Sequence, residues 1–214
     1  MKSFILAITL LAGVVSQASL LSFEPGNLQI EGVTLNKTAT INKQDGTPSS
    51  LKMDLLGAGL RTKTVLFVAA KVYVLELFAS NKNFDRNDNA VKSITANSDM
   101  VALRISMLRT VDASTLATSF REALEANNFQ VDTELTQILS LIENSADGDN
   151  GKTISMLMKK DGDKVNLYYE DTKGQLKTFQ GTASVMPKIL SIWLGKSADK
   201  GLEKLKAQLL NPVY

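Results

Sequence analysis

Residues Leu55 to Val74 read LLGAGLRTKTVLFVAAKVYV, with Arg61 directly behind a Gly57-Ala58-Gly59-Leu60 run and a long apolar stretch after it. A guanidinium stays charged at any working pH, so setting it against a sheet or a pocket requires an anionic or hydrogen-bonding partner. The next carboxylate along the chain is Glu76. From Leu55 to Phe78 the chain is rich in Val, Leu and Phe with scattered charge, which predicts strands buried on at least one face. This stretch is read as the centre of the sheet.

Upstream, Leu28 to Leu35 and Thr38 to Ile41 read as short strands around a turn, and the polar Asn42 to Ser50 as a loop. Downstream, Asn81 to Asn89 is polar and turn-like, Val91 to Ile94 a helical turn, and Met100 to Leu108 another strand. The hydrophobic period then changes. Asp112 stands where it can cap a helix with Leu116, Phe120, Ala123 and Leu124 on one face, and Asp132 opens a second with Leu135, Ile138, Leu139 and Ile142. Three strands follow at Lys152 to Met158, Lys164 to Glu170 and Gln175 to Gly181. Asp161-Gly162 and Lys173-Gly174 are hairpin signals between them. Helices over Ser184 to Leu194 and Ala198 to Leu210 close the pattern, the first ending at Gly195 and the second before Pro212. Strands, helices, an antiparallel meander and more helices predict an α+β layer arrangement, with no βαβ repeat.

Composition narrows the chemistry. At 214 residues and 44% hydrophobic, one compact domain with a full core is expected. The N-terminus MKSFILAITLLAGVVSQASLLS has Lys2, an apolar run from Phe4 to Val15 and a small-x-small Ser16-Gln17-Ala18. That pattern predicts a secretory signal over residues 1–18, cut after Ala18, with a domain over 19–214. The run is shorter than the roughly 20 apolar residues of a membrane span, so no stable span is expected. Without a lipobox cysteine, the destination is the periplasm or the secreted space of a bacterium.

The chain has no cysteine and no histidine. Disulfides, thiol nucleophiles, the usual zinc and haem ligands and every His-dependent triad are therefore excluded, and no metal or cofactor is expected. Of 24 basic residues, loss of Lys2 with the signal leaves 23 against 22 acidic, which leaves no electrostatic footprint for nucleic acid. Gly57-Ala58-Gly59 is no phosphate cradle, since neither a third glycine nor Gly-Lys-Ser/Thr follows and no helix opens after it. Asp161/Asp163 and Asp147/Asp149 flank glycines but lack a calcium loop's ligand series, and are read as turn residues.

LLGAGLR, an apolar strand ending in KVYV, and a late ILSIWLGKSADKGLEKLKAQLL together resemble the chalcone isomerase fold family, in particular its bacterial chalcone isomerase-like members. The resemblance runs from about Leu28 to Leu210. It implies an open-faced β-sandwich, in which an antiparallel sheet carries a layer of helices with a ligand cleft between them. In the plant enzymes that cleft closes a chalcone without a cofactor, using an arginine, a threonine, a tyrosine and an asparagine. In the family's non-catalytic branch it holds a fatty acid whose carboxylate meets an arginine and a tyrosine.

Carried over by position, the arginine matches Arg61. The strand threonine falls on Val68, the tyrosine and asparagine near Leu116 and Ala123, and a late threonine at Ile192, or at Ser191 one step away. Loss of the hydroxyl and amide donors argues against the plant reaction. The resemblance thus implies an exported, non-catalytic binder of a fatty acid or similar small amphiphilic carboxylate, with Arg61 and Tyr73 as ligand-binding residues. The alternative is a cofactor-independent isomerase, or intramolecular lyase, in which Ser191, Thr64 or Tyr73 converges on Arg61. A third reading, a partner-binding domain with a filled core, has no cavity and leaves Arg61 snorkelling at a strand end.

Geometry sets a condition on the pair. On a straight strand, twelve steps of about 3.3 Å would hold Tyr73 roughly 40 Å from Arg61, so the chain must reverse between them. Thr62-Lys63-Thr64 is the polar interruption available for that turn. Lys71 is expected to face solvent, while Trp193 and Phe179 are either cleft walls or core aromatics.

Overall fold

The computed structural model describes residues 19–42, 48–65 and 68–212. The expected signal segment lies outside them. Eight strands form one antiparallel sheet in sequence order: β1 (Leu21–Ile30), β2 (Val33–Asn42), β3 (Pro48–Val65), β4 (Val68–Ala79), β5 (Met100–Met107), β6 (Thr153–Asp161), β7 (Lys164–Glu170) and β8 (Leu176–Thr182). Five helices accompany it: α1 (Ala90–Asn97), α2 (Ala113–Ala126), α3 (Thr133–Glu143), α4 (Val185–Leu194) and α5 (Lys200–Leu210). The result is the α+β open-faced sandwich that the sequence implies.

Alternation along the central strands divides the molecule into two layers. Tyr73, Leu75, Leu77, Leu103, Ile105, Met156 and Leu167 point to the helix face, where they pack with Phe120, Leu139, Ile189, Trp193 and Leu205 in the main core. Val74, Phe78 and Ala102 point the other way. There the β1–β2 hairpin folds over the sheet and supplies Leu21, Leu35 and Ala39.

That second face also carries a polar row, in which Glu76, Arg104, Ser155 and Glu170 are register neighbours across β4 to β7. Glu76 is fully buried and meets Arg104 at 2.6 Å. It also accepts from the backbone and side-chain amides of Asn36 at 2.7 and 2.9 Å. The buried carboxylate is thereby charge-paired and hydrogen-bonded.

Several boundaries move from the sequence reading. The β1–β2 turn lies at Glu31-Gly32, where both residues take positive φ, and not between Leu35 and Thr38. Thr62-Lys63-Thr64 makes no turn. β3 continues through it, with Thr62, Lys63 and Thr64 paired to Lys71, Ala70 and Ala69 and Val65 to Val68. Asp112 occupies the N-cap of α2 without a side-chain cap bond; Asp147 instead accepts from the Ala113 amide at 2.9 Å. Asp132 caps α3 as its position predicts, accepting from Leu135 N–H at 2.9 Å. That bond and the Lys188 ammonium hold its carboxyl below the usual carboxylate range.

Candidate functional site

The glycines of the opening motif are explained by α5. Gly57, Gly59 and Arg61 alternate onto the face of β3 that this helix covers. A Cβ on Gly57 would stand 2.2 Å from the Leu209 carbonyl oxygen, so the strand and the helix backbone touch there. At the other end of α5, a Cβ on Gly201 would stand 1.8 Å from the Thr62 carbonyl oxygen. The helix is seated on the strand by the absence of side chains at both ends, and Arg61 projects at its N-terminus.

The partner of Arg61 is Asp199, the N-cap residue of α5. The guanidinium donates to both carboxylate oxygens, at 2.7 and 2.6 Å, and also to the Thr62 carbonyl. Arg61 is 5% exposed, so this fork is what makes its burial tolerable. Asp199 also accepts from the Leu202 amide at 2.9 Å. Burial pushes the Asp199 carboxyl up, but the Arg61 hydrogen bonds, the Leu202 amide and the charges of Arg61 and Lys63 outweigh that and hold it below its ordinary value. Glu76, the nearest carboxylate in sequence, faces the other side of the sheet.

Tyr73 lies directly across the β3–β4 ladder from Arg61. The separation expected of a straight chain disappears because β3 and β4 form a hairpin. A bulge sits at this point, with Arg61 opposite Tyr73 and Thr62 opposite Lys71, so Val72 is the unpaired extra residue. Bulges re-aim side chains, and here both Val72 and Tyr73 reach one cavity. Tyr73 is buried, and its hydroxyl accepts from Trp193 Nε1 at 2.9 Å. Burial raises the phenol above its ordinary value, against the opposing pull of Trp193 and the Arg61 charge. The group is therefore a protonated donor at neutral pH.

The cavity these residues border has a volume of about 330 Å³. Val72, Val111, Leu116, Phe120, Ile192 and Leu202 provide its apolar walls. Arg61, Lys63 and Arg109 bring three cations to the lining, against one carboxylate, Asp112. Lys63 stands 3.6 Å from Glu122 and 4.0 Å from Asp199. Arg109 is exposed and has no ion-pair partner among the described residues. Behind Phe120 and Ile192 lies a second, nearly filled apolar space bordered by Leu124, Leu135, Ile138 and Leu139.

The remaining candidates separate. Leu116 and Ile192 line the cavity, as the carried-over positions require of their side chains, but neither supplies a polar group. Ala123 is buried in the core, and Val68 is 68% exposed at the far end of the hairpin. The Ser191 hydroxyl donates to the Lys188 carbonyl at 2.6 Å and does not line the cavity. Neither does Thr64, which is exposed. Trp193 is core, edge-on to the cavity wall Phe120 with ring centroids 5.2 Å apart, and also meets the site through its hydrogen bond to Tyr73. Phe179 packs half-buried on the main core, and Lys71 pairs at the surface with Glu31 at 2.6 Å.

Sequence reasoning missed Arg109, Lys63 and Asp199. The basic residue just past the end of β5 was the available signal for Arg109. Among the described residues, no group of His, Cys, Asp or Glu could hold a metal ion, and no helix is long and apolar enough to cross a membrane.

An antiparallel meander with a helix layer on one face and a cation-rimmed apolar cavity between them defines an open-faced sandwich with a cleft. The chain belongs to the chalcone isomerase-like family, whose model matches residues 27–211. No curated protein matches it.

Proposed function

We propose that this is an exported, non-catalytic binding protein that holds a small amphiphilic carboxylate, such as a fatty acid, in the cavity beside Arg61 and Tyr73. The observation that carries the reading is the convergence of three cations and a protonated phenol on one apolar-walled cavity with a single carboxylate in its lining. A ligand carboxylate would meet Arg109 and Lys63 at the rim and the Tyr73 hydroxyl within. Arg61, already forked to Asp199, adds its field and shapes the corner. The hydrocarbon would lie along Val72, Leu116 and Phe120. At about 330 Å³ the cavity is at the small end of ligand sites, which run from about 300 to 1,000 Å³, so short and medium chains fit the reading best.

The isomerase reading needs polar donors gathered around Arg61. Of Ser191, Thr64 and Tyr73, Tyr73 alone borders the cavity, where Thr110, Thr115 and Ser119 add hydroxyls to the lining; the binding reading is preferred because the cations there outnumber the single carboxylate. The test is native mass spectrometry of the protein purified gently from its own compartment, beside Tyr73→Phe and an Arg109→Gln/Lys63→Gln double variant. An acidic lipid carried by the wild type and lost from the double variant supports the proposal. A bare wild type that also fails to take up added decanoate overturns it.

A further inference from the structure

The second face of the sheet holds a carboxylate that the cavity does not use. Glu170, at the end of β7, is 8% exposed, and among the described residues it has no ion-pair partner. A buried carboxylate without a countercharge is costly. The groups around it are committed elsewhere. Arg104 borders the same recess but donates to Glu76 at 2.6 Å. Asp171 accepts from the amides of Ala146, Lys173 and Gln175.

Both oxygens of Glu170 instead receive the start of the β1 segment. The Leu20 amide donates to Oε1 at 3.1 Å and the Ser19 hydroxyl to Oε2 at 3.2 Å. The two residues are fixed from the other side by Asn42, whose side-chain amide donates to the Ser19 carbonyl at 2.7 Å while its backbone amide donates to the Leu20 carbonyl at 3.1 Å. A small-x-small sequence, Ser16-Gln17-Ala18, stands immediately before Ser19.

We infer that Glu170 is the docking carboxylate for a free α-amino group at Ser19, so that cleavage after Ala18 creates the cation this buried acid lacks. In the uncleaved chain the Ser19 nitrogen is a neutral amide. Hydrolysis of the Ala18–Ser19 peptide bond leaves a carboxylate on Ala18 and an ammonium on Ser19, next to a side chain already bonded to Glu170. Processing thereby locks the β1–β2 layer onto β7. The inference rests on the export half of the proposed function and is independent of the cavity's ligand.

The sign of the pH dependence follows. A carboxylate partner raises the folded-state pKa of the amine above its ordinary value of about 7.7–8.0. The added stability is therefore present below that range and lost as pH rises through the raised value. The experiment compares the melting temperature of a chain starting at Ser19 with one retaining Ser16-Gln17-Ala18, each with and without Glu170→Gln, at pH 6.5 and 9.5. The mass of the protein isolated from its own cells is read alongside.

The expected result is a natural start at Ser19, with the mature form melting about 2–4 °C above the extended one at pH 6.5. That gap closes at pH 9.5 and is absent in the Glu170→Gln pair. A natural start at Met1 overturns this inference together with the export reading, and a processed start at any residue other than Ser19 overturns the docking alone. A natural Ser19 start, with a gap that is absent, indifferent to pH or retained by Glu170→Gln, overturns the docking alone.

Discussion

Arg61 and Asp199 stand 138 residues apart and meet through two parallel hydrogen bonds of 2.7 and 2.6 Å. This fork ties the middle of β3 to the first turn of α5. Arg61→Ala should cost about 2 kcal/mol, on the low side for a broken buried pair because Asp199 keeps 34% of its side chain in water. Asp199→Ala should cost more than Asp199→Asn by about 1 kcal/mol, since asparagine still caps α5. Urea unfolding of the three variants reads both differences.

The same carboxylate makes the fold acid-sensitive. Asp199 and Asp132 both titrate below their ordinary value of 3.8. Their contribution to stability is complete above that value and is lost as pH falls through the lower folded-state values. Unfolding free energy measured from pH 6 to pH 2 should therefore drop most steeply below about pH 4. The slope should be shallower in Asp199→Asn.

Tyr73→Phe removes the acceptor of a buried indole N–H and should cost about 1–2 kcal/mol. The chain has a single tryptophan, so its fluorescence reports this site alone. The emission of Trp193 should shift in the variant, and affinity for a decanoate probe should fall. An unchanged emission spectrum would show that the indole does not depend on the phenol.

Gly57→Ala places a methyl group 2.2 Å from the Leu209 carbonyl oxygen. The helix must lift, and a loss of about 3 kcal/mol, the upper end of overpacking, is expected. Gly162→Ala, at a positive-φ turn with open space around it, should cost about 1 kcal/mol. Thermal melts of the two side by side separate packing from backbone strain.

Phe120 divides the cavity from the apolar space behind it. Phe120→Ala should join the two, at a cost of about 3–5 kcal/mol for the lost aromatic. It should also shift the preferred probe from decanoate to a longer acid, which competition calorimetry at equal free-acid concentration measures.

Much of this fold is legible in the chain. The apolar run marked the sheet centre, Asp161-Gly162 and Lys173-Gly174 separated β6, β7 and β8, the 3.6-residue period marked α2 and α3, and Gly195 and Pro212 marked the ends of α4 and α5, because each element buries one face against a partner layer. The β3–β4 reversal escaped notice because Val65 and Val68 close it with neither glycine nor proline between them. Arg61 and Tyr73 stood out in the sequence, and the hairpin supplies the geometry that a straight chain denied them. Asp199 did not stand out. Its N-cap position is visible locally, but its second bond crosses most of the chain, and no local pattern encodes which strand a terminal helix will cover.

Every strand of the sheet pairs with its neighbour in sequence, whereas α5 returns from the end of the described chain to lie on β3. A chain that emerges N-terminus first can assemble its sheet progressively, with each new strand finding its template already in place. The cationic corner is different in kind, since Arg61 waits with its charge exposed until Asp199 has been made. The cavity is consequently the last part of the molecule to mature, and any truncation before α5 would leave a sheet without a finished site.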